Sequence, residues 1–322
     1  MSIDRRTFLT AATGLAAASA APAAALAAAP PVGKPTAGAY RYKVGDYEIT
    51  AIHDGINNLK LTEGFVKNAK LADVQGALKD AYMSPETLPI TFTALVINTG
   101  SKLILVDTGL GGLGGPTNGQ LVPNMKAAGI DPASIDTVLI SHFHGDHING
   151  VRPKEGVEGF TKAEILVPAA EWDFWMDDAK MAQAPEGMKG AFANVRRVFG
   201  PMAKDVKRYD WNKEVAPGIT AIGAPGHTPG HTIFAVASGS EKLMILSDVT
   251  NHPALFVRNP DWSAVFDQDA DMARATRHKV LDMVATERMH VAGFHFPFPA
   301  HGFIAKDGKG YNFVPTPWST VL

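Results

Sequence analysis

The feature that most constrains this chain is the stretch "HFHGDH" at residues 142–147, where three histidines and an aspartate fall within six positions. It follows "TVLI", a short run of β-branched and apolar residues typical of a buried strand. Directly after a strand, residues two positions apart point to the same side, so the imidazoles of His142 and His144 are expected to face one metal position. Asp146 and His147 are expected to face a second position. Clustered imidazole and carboxylate groups suit a borderline metal such as zinc. The pattern therefore predicts two adjacent metal positions at the end of a buried strand.

Later segments place further metal-binding residue types at the ends of predicted strands. "APGHTPGHT" sets His227 between glycines, and "LMILSDV" ends an apolar run at Asp248. "HVAGFHFPFPAHG" contains three histidines, of which His295 follows the strand and His301 lies in the loop beyond. Sequence order alone does not choose among these three. We favour His295, because a ligand at a strand end is held more rigidly than a ligand in a turn.

The remainder of the chain alternates apolar runs with amphipathic stretches. Of the 322 residues, 46% are hydrophobic and 19% are charged, which is typical of a globular protein with a large core. "TFTALVINTGSKLILVDTG" predicts a hairpin, and "ITAIGAPGHTPGHTIFAVASGSEKLMILSDV" predicts three strands. A helix follows each run, the second over residues 267–287. Two such units predict an α/β fold, an αββα sandwich with helices outside two sheets.

The first thirty residues differ in composition from the rest. Arg5 and Arg6 precede an Ala-rich stretch that is too weakly hydrophobic for a convincing membrane span. This pattern resembles the twin-arginine signal, whose machinery carries folded proteins across a membrane. We predict an export signal over residues 1–30, a linker over 31–39 and one folded domain over 40–322. The mature protein would be periplasmic or secreted, with no stable membrane span after cleavage.

Charge and cysteine content exclude several classes of partner and site. The formal net charge is -2 and the basic residues are scattered along the sequence, so no basic cluster in it favours a nucleic-acid partner. It contains no cysteine, so any metal must be bound by nitrogen and oxygen ligands.

Together with "VDTG" and "GHTPGH", these candidate ligands resemble the metallo-β-lactamase superfamily over nearly all of the mature chain. The resemblance implies a first metal position with three ligands: His142, His144 and His227. It implies a second position with three others: Asp146, His147 and His295. Asp248 would bridge the two metals. The expected ions are two divalent metals, with zinc favoured and Co²⁺, Mn²⁺ or Fe²⁺ as alternatives.

A narrower resemblance rests on "NTGSKLILVDTGLGGLGGPT", "EWDFW", "PGHTPGHT" and the tail "HFPFPAHGFIAKDGKGYNFVP". These segments are similar to the methyl parathion hydrolase group, whose members hydrolyse phosphotriesters, aryl esters and lactones. Two metals sharing a water lower its pKa from about 15.7 toward about 7, which yields hydroxide at neutral pH. We therefore expect a hydrolase in which Asp146 and Asp248 are the catalytic carboxylates. The glycine-rich loop "GGLGGPTNGQ" fits a lid or a contact in a homodimer.

Four further residues are candidates for the pocket or for contacts with a ligand. Asp107 of "VDTG" is expected to hydrogen-bond a ligand histidine and fix its tautomer. Trp175 is a candidate pocket wall, and Met188 stands where an aromatic residue is expected. Acyl-homoserine lactonases of the superfamily usually carry a tyrosine shortly after the bridging aspartate, whereas this chain has "VTNH" ending in His252, a candidate pocket residue. This departure argues against quorum-signal hydrolysis.

Two alternatives to an esterase or lactonase stay open. A β-lactamase would attack an amide with the same hydroxide, although the lack of cysteine argues against those β-lactamases that use a cysteine ligand. A non-catalytic metal-binding protein is disfavoured, because the complete set of seven ligand residues is present.

Overall fold

The computed structural model describes residues 31–33 and 35–322, so the predicted export signal lies outside the described residues. In the predicted linker, the described residues before Ala39 have no regular secondary structure, and the first strand begins at Ala39. Residues 37–322 form one structural unit. No helix in the described part of the chain has the length and apolar composition of a membrane span.

Two seven-stranded sheets make up the centre of the fold. The first sheet contains, in spatial and sequence order, β1 (Ala39–Val44), β2 (Tyr47–Lys60), β3 (Thr87–Asn98), β4 (Leu103–Val106), β5 (Thr137–Leu139), β6 (Glu164–Pro168) and β7 (Lys207–Tyr209). Strands β1 to β4 pair antiparallel, and β4 to β7 pair parallel. The parallel strands β4, β5 and β6 end at the same edge of the sheet, and the histidine-rich loop begins there.

The second sheet is also built from consecutive strands. It contains β8 (Lys213–Ala216), β9 (Ile219–Gly223), β10 (Thr232–Ser238), β11 (Glu241–Ser247), β12 (His290–Gly293), β13 (His301–Asp307) and β14 (Gly310–Pro315). Only β11 and β12 pair parallel among these described strands, and α7 (Ala270–Thr286) forms the crossover between them. The ends of β11 and β12 therefore lie side by side.

Helices cover the outer face of each sheet. The remaining helices are α1 (Leu71–Asp80), α2 (Leu121–Ala127), α3 (Gly145–Ile148), α4 (Ala169–Trp175), α5 (Asp178–Gln183) and α6 (Glu186–Phe199). Buried residues of α1, α2, α4 and α6 pack against the first sheet, and those of α7 pack against the second. A π-helical turn, Pro253–Val257, follows the end of β11.

The hydrophobic core has three layers, and successive side chains along one strand point into different layers. In β3, Leu95 and Ile97 face the other sheet, whereas Val96 faces the helices. In β11, Leu243 faces the first sheet and Met244 faces α7. Successive side chains of a strand point to opposite faces of its sheet, and here both faces of each sheet are buried. This arrangement confirms the predicted αββα sandwich.

Several elements differ from the sequence prediction. Helix α1 and the hairpin of β13 and β14 were not predicted, and the hairpin comprises much of the distinctive tail. The helix predicted over residues 267–287 begins later, at Ala270, because the Asp269 side chain accepts a hydrogen bond from the backbone N–H of Met272 and caps the helix there. The hairpin predicted from "TFTALVINTGSKLILVDTG" is present as the antiparallel pair β3 and β4.

Candidate metal centre

The seven predicted ligands lie at the ends of strands from both sheets. His142 and His144 follow β5, and α3 begins at Gly145, so Asp146 and His147 lie in its first turn. His227 lies between β9 and β10, and Asp248 directly follows β11. His295 comes two residues after β12. The structure brings all seven side chains into one cluster.

The first group of ligand atoms consists of three histidine nitrogens. Nε2 of His142 lies 3.1 Å from Nδ1 of His144, which lies 2.9 Å from Nε2 of His227. Two ligand atoms on a tetrahedral zinc, each about 2.05 Å from the metal, would be about 3.3 Å apart. These two separations are close to that value, and all three nitrogens lie within 4.8 Å of one another, as ligands of one divalent metal would.

The second group contains Asp146, His147 and His295, and Asp248 joins it to the first. Oδ2 of Asp146 lies 3.4 Å from Nε2 of His147 and 3.5 Å from Nε2 of His295. Oδ1 of Asp248 lies 3.3 Å from His147. Its Oδ2 lies 3.1 Å from Nε2 of His295 and 3.3 Å from Nε2 of His227. The Asp248 carboxylate thus contacts both groups.

Hydrogen bonds at the outer nitrogens fix which ring atom faces the cluster. Nδ1 of four histidines is occupied by an outer partner: Asp107 Oδ2 for His147, Asp267 Oδ1 for His227, the Thr91 carbonyl for His295 and Ser141 Oγ for His142. Their Nε2 atoms are thereby directed inward. His144 is the exception and presents Nδ1. Such partners hold each imidazole in one tautomer and orientation.

The protonation states also suit metal binding. Burial lowers the pKa of His144 to about 3 and holds the pKa of His142 well below its usual value, so both are neutral at pH 7. Burial opposes the charge of Asp146, but nearby His147 and His295 outweigh it and lower its pKa to about 2. Among the described residues, His147 Nε2 and Asp248 Oδ1 are buried without a hydrogen-bond partner. Burial disfavours the charged forms of His147 and His295, but the carboxylates of Asp146 and Asp248 outweigh it and raise the pKa of both imidazoles. Neutral His142 and His144, ionised carboxylates and unpartnered inward atoms fit two divalent metal ions.

Asp107 anchors the loop after β5. Its backbone φ is +60°, a conformation that Asp tolerates better than most residues. Its carboxylate accepts hydrogen bonds from the N–H and Oγ–H of Ser141, both at 2.8 Å, and from Nδ1 of His147. Because Ser141 Oγ also lies 3.0 Å from Nδ1 of His142, one carboxylate orients a histidine of each group.

Two glycines hold the His227 loop tightly against neighbouring helices. A Cβ built at Gly226, whose φ is +126°, would lie 2.3 Å from the backbone nitrogen of Ala273 in α7. A Cβ built at Gly230 would lie 2.3 Å from the backbone nitrogen of Glu171 in α4. Neither position has space for a side chain. The glycines of "PGHTPGH" therefore allow the close backbone approach that places His227.

His231, which we interpret as structural, connects this loop to Asp248. Its Nδ1–H donates to the Ala224 carbonyl at 3.0 Å, and its Nε2 accepts from the backbone N–H of Asp248 at 3.0 Å. Burial lowers its pKa to about 3, so the ring is neutral and can accept this bond. His231 thus positions the backbone of Asp248.

The cluster borders a cavity of about 390 Å³ with a mainly apolar lining. Five predicted ligands contribute to its surface: His144, Asp146, His227, Asp248 and His295. The apolar lining comes from Leu59, Ile90, Phe92, Leu110 and Phe266, and the other polar lining from Asn57 and Asn251. A larger cavity of about 810 Å³ touches none of the predicted ligands. The smaller one is therefore the candidate substrate site.

Several sequence candidates lie outside this cavity. Trp175 is buried in the core, where its Nε1–H donates to Glu171, and Met188 packs against the same core from α6. His252 lines the larger cavity instead, because its side chain caps the π-helical turn. His301 stacks on Tyr42 at a centroid distance of 4.0 Å and is remote from the ligand groups. These placements correct the predicted pocket roles of Trp175, Met188 and His252.

Sequence reasoning also missed residues that support the site. Asp267 holds His227, and Arg277 holds Asp267 through a 3.0 Å contact. Asn251 and Phe266 line the cavity, and Glu171 is buried beneath the ligand loops. The carboxylate of Glu171 in the apolar segment "AAEWDFW" is the one signal that could have been noticed, since a buried charge needs specific partners.

Comparison with known proteins agrees with this geometry. The model of the metallo-beta-lactamase superfamily matches residues 91–285. The structure of AidC, a dizinc quorum-quenching lactonase in complex with a product, is 29% identical with a TM-score of 0.82, covering 88% of this chain and 99% of that one. The structure of the hydrolase AbOPH in the beta lactamase superfamily is likewise 29% identical with a TM-score of 0.82, covering 89% and 100%.

Among curated relatives, an N-acyl homoserine lactonase from Bacillus sp is 25% identical over 217 residues, which are 62% of this chain and 79% of that protein. The lactonase AttM from Agrobacterium fabrum is 29% identical over 132 residues, 39% of this chain and 45% of that protein. The family model covers more than half of the chain and includes the histidine-rich loop, His227 and Asp248. The chain therefore belongs to the metallo-beta-lactamase superfamily.

Proposed function

We propose that the protein is a dinuclear zinc hydrolase that opens lactones. The observation that carries this proposal is the position of Asp248, whose two carboxylate oxygens contact both groups of ligand atoms at the surface of an apolar cavity. Zinc is proposed because the ligand atoms are imidazole nitrogens and carboxylate oxygens at tetrahedral spacing. Similarity to lactonases over most of the chain supports the choice of substrate.

The seven ligand residues would hold two zinc ions, which would supply a hydroxide nucleophile and polarise the lactone carbonyl. The side chains that line the cavity hold the substrate in place and exclude water from it. Leu59, Phe92 and Phe266 cover the apolar part of a substrate and exclude water from the reacting centre. Asn251 is fixed by a 2.8 Å hydrogen bond from the backbone N–H of His252 to its Oδ1, so its amide group is available to orient a substrate oxygen. His231 holds the backbone of Asp248.

Aryl esters and phosphotriesters are proposed as slower substrates of the same site, in the manner of methyl parathion hydrolase. Two aromatic rings, Phe92 and Phe266, line the cavity, and Trp175 lies in the core instead. An aromatic pair contributes about 0.5 to 1.5 kcal/mol beyond the area that it buries. Because two aromatic side chains line the cavity, it offers little stacking for an aromatic leaving group. A lactone therefore fits this cavity better than an aryl phosphotriester does.

The decisive experiment compares substrates for the zinc-loaded protein lacking residues 1–30. We expect the highest kcat/KM with a lactone such as dihydrocoumarin, lower values with methyl paraoxon, and no turnover of a chromogenic β-lactam. N-hexanoyl-homoserine lactone is included because the similarity to quorum-quenching lactonases favours it, whereas the lack of a tyrosine after Asp248 argues against it. Chelation should abolish all activity and lower Tm, because bound metal stabilises the folded state by mass action. Added zinc should restore both.

Other outcomes distinguish the alternatives. Turnover of the β-lactam alone would identify an amide hydrolase and overturn the lactonase proposal. Stoichiometric zinc binding without turnover of any ester, lactone or amide would indicate a non-catalytic metal-binding protein. Retention of lactonase activity after complete metal removal would contradict the mechanism itself.

We also propose that residues 1–30 direct export through the twin-arginine machinery. The support is the pattern of Arg5, Arg6 and the Ala-rich stretch that follows. Replacing both arginines with lysine is expected to leave the uncleaved precursor in the cytoplasm, because the receptor reads the arginine pair. Cell fractionation with mass measurement of the protein checks this. Unchanged export of the double variant would contradict the proposal.

A further inference from the structure

Glu171 is a fully buried carboxylate beneath the metal-binding loops, and it lies in the first turn of α4. Its Oε2 accepts hydrogen bonds from the backbone N–H of Phe143 at 2.9 Å and from Nε1 of Trp175 at 2.7 Å. Its Oε1 accepts from the backbone N–H of Gly230 at 2.7 Å. All three partners are N–H donors, so an ionised carboxylate satisfies each of them.

Two of these donors belong to the two loops that carry the first ligand group. Phe143 lies between His142 and His144, and Gly230 lies in the loop of His227. The two oxygens of one side chain therefore connect loops that come from different sheets. The backbone of Gly230 also lies so close to the backbone of α4 that the two segments cannot move closer together.

The connection depends on the chemistry of a carboxylate. Burial raises the pKa of Glu171, and the backbone N–H groups of Gly230 and Phe143 counteract part of that effect. A glutamine here would present an NH₂ group to at least one of the three donors. Two opposed donors repel and leave a buried N–H unsatisfied, which costs about 1 to 3 kcal/mol. The loop on that side would move away.

We propose that Glu171 is a positioning residue that sets the separation of the two histidine loops and thereby tunes the affinity of the first metal position selectively. The second position has separate supports, since Asp107 holds His147 and the Thr91 carbonyl holds His295. This inference rests on the proposed metal centre but does not depend on the identity of the substrate.

The test measures zinc affinity rather than turnover. Zinc is titrated against a chromogenic chelator with the full-length wild-type protein, Glu171→Gln and Trp175→Phe, and the occupancy of each position is assigned from zinc anomalous scattering in crystals. We expect Glu171→Gln to weaken the first position by about 10- to 100-fold, the range found for residues that support metal ligands. The second position should change by less than about threefold.

Trp175→Phe is the matched control for a general loss of core stability. It removes a hydrogen bond from the same carboxylate oxygen in the same buried region, but Trp175 belongs to neither ligand loop. We expect it to lower Tm while leaving both zinc affinities unchanged. Glu171→Asp keeps the charge with a shorter reach, and its first-position affinity should lie between those of the wild type and Glu171→Gln, which serves the test if the glutamine variant does not fold.

Equal weakening of both positions by Glu171→Gln, or equal effects of Glu171→Gln and Trp175→Phe, would overturn the inference. A wild-type protein that binds fewer than two zinc ions would also overturn it, together with the proposed centre. A wild-type protein that binds two zinc ions without opening lactones would refute the proposed function alone, since selective loss of the first position would still support the role of Glu171.

Discussion

Replacing Asp248 with asparagine is expected to reduce kcat/KM for a lactone by at least about 10³-fold while the protein stays folded. Loss of one electrostatic contact to a reacting group costs about 10² to 10³ in kcat. Asp248 contacts both ligand groups, so its replacement should weaken both metal positions at once. Steady-state kinetics, metal content by mass spectrometry and circular dichroism measure the three consequences separately.

His252→Asn provides the control for this variant. His252 is close in sequence and also buried, but its side chain caps the π-helical turn by accepting from the Ala254 backbone N–H, and asparagine can do the same. We expect kcat/KM to change by less than about threefold. Full activity of Asp248→Asn with two zinc ions bound would show that the bridging carboxylate is not needed, and the proposed mechanism would fail.

Replacing Arg277 with methionine is expected to lower the free energy of unfolding by about 3 to 5 kcal/mol, the cost of breaking a buried ion pair from one side. Arg277 is 1% exposed. Its guanidinium donates to Oδ2 of Asp267 and to the carbonyls of Val249, Pro260 and Trp262. Methionine would leave the Asp267 charge buried without its partner. Urea unfolding of the zinc-loaded protein at pH 7 measures the difference.

Arg274→Met is the matched control, one turn earlier on α7. Arg274 pairs with the exposed Asp271, and such pairs contribute about 0 to 1 kcal/mol. Its guanidinium also donates to Oγ of Ser263 at 2.7 Å, but its loss leaves no charge buried without a partner. We expect its loss to cost less than about 1 kcal/mol. Adding Asp267→Asn to Arg277→Met should recover part of the lost stability, because it removes the unpaired charge. Equal costs for Arg277→Met and Arg274→Met would show that burial of this pair has no stabilising role.

The positions of the candidate ligands could be predicted because each follows an apolar run. His142 follows the β5 run, and Asp248 follows the β11 run, so local patterning alone places them at strand ends. Choosing His295 over His301 needed a physical argument about strand ends. His301 instead begins β13 and stacks on Tyr42, within a hairpin whose residues show no clear alternation in the sequence.

The supports of the site could not be predicted, because they depend on contacts between distant parts of the chain. Glu171 contacts Gly230, and Asp267 contacts His227, across separate loops. The apolar neighbours of Glu171 hint at its burial, but nothing local identifies the loops that it contacts, and nothing local distinguishes Asp267 from an acid on a solvent-exposed face. Trp175 was misplaced for a related reason. A tryptophan on a short amphipathic helix can face a pocket or the core, and only the packing of α4 against α6 decides for the core.

The first ligand group takes two of its histidines from the loop after β5 and the third from the loop before β10, so it draws on both halves of the sandwich. A metal bound there would act as a cross-link between residues that are far apart in sequence, as a disulfide does in many secreted proteins. This chain has no cysteine with which to form one. Because the ligands converge only when the two sheets have docked, the metal would select the assembled sandwich and oppose separation of its halves. The same atoms proposed for catalysis would then also set the resistance of the protein to unfolding.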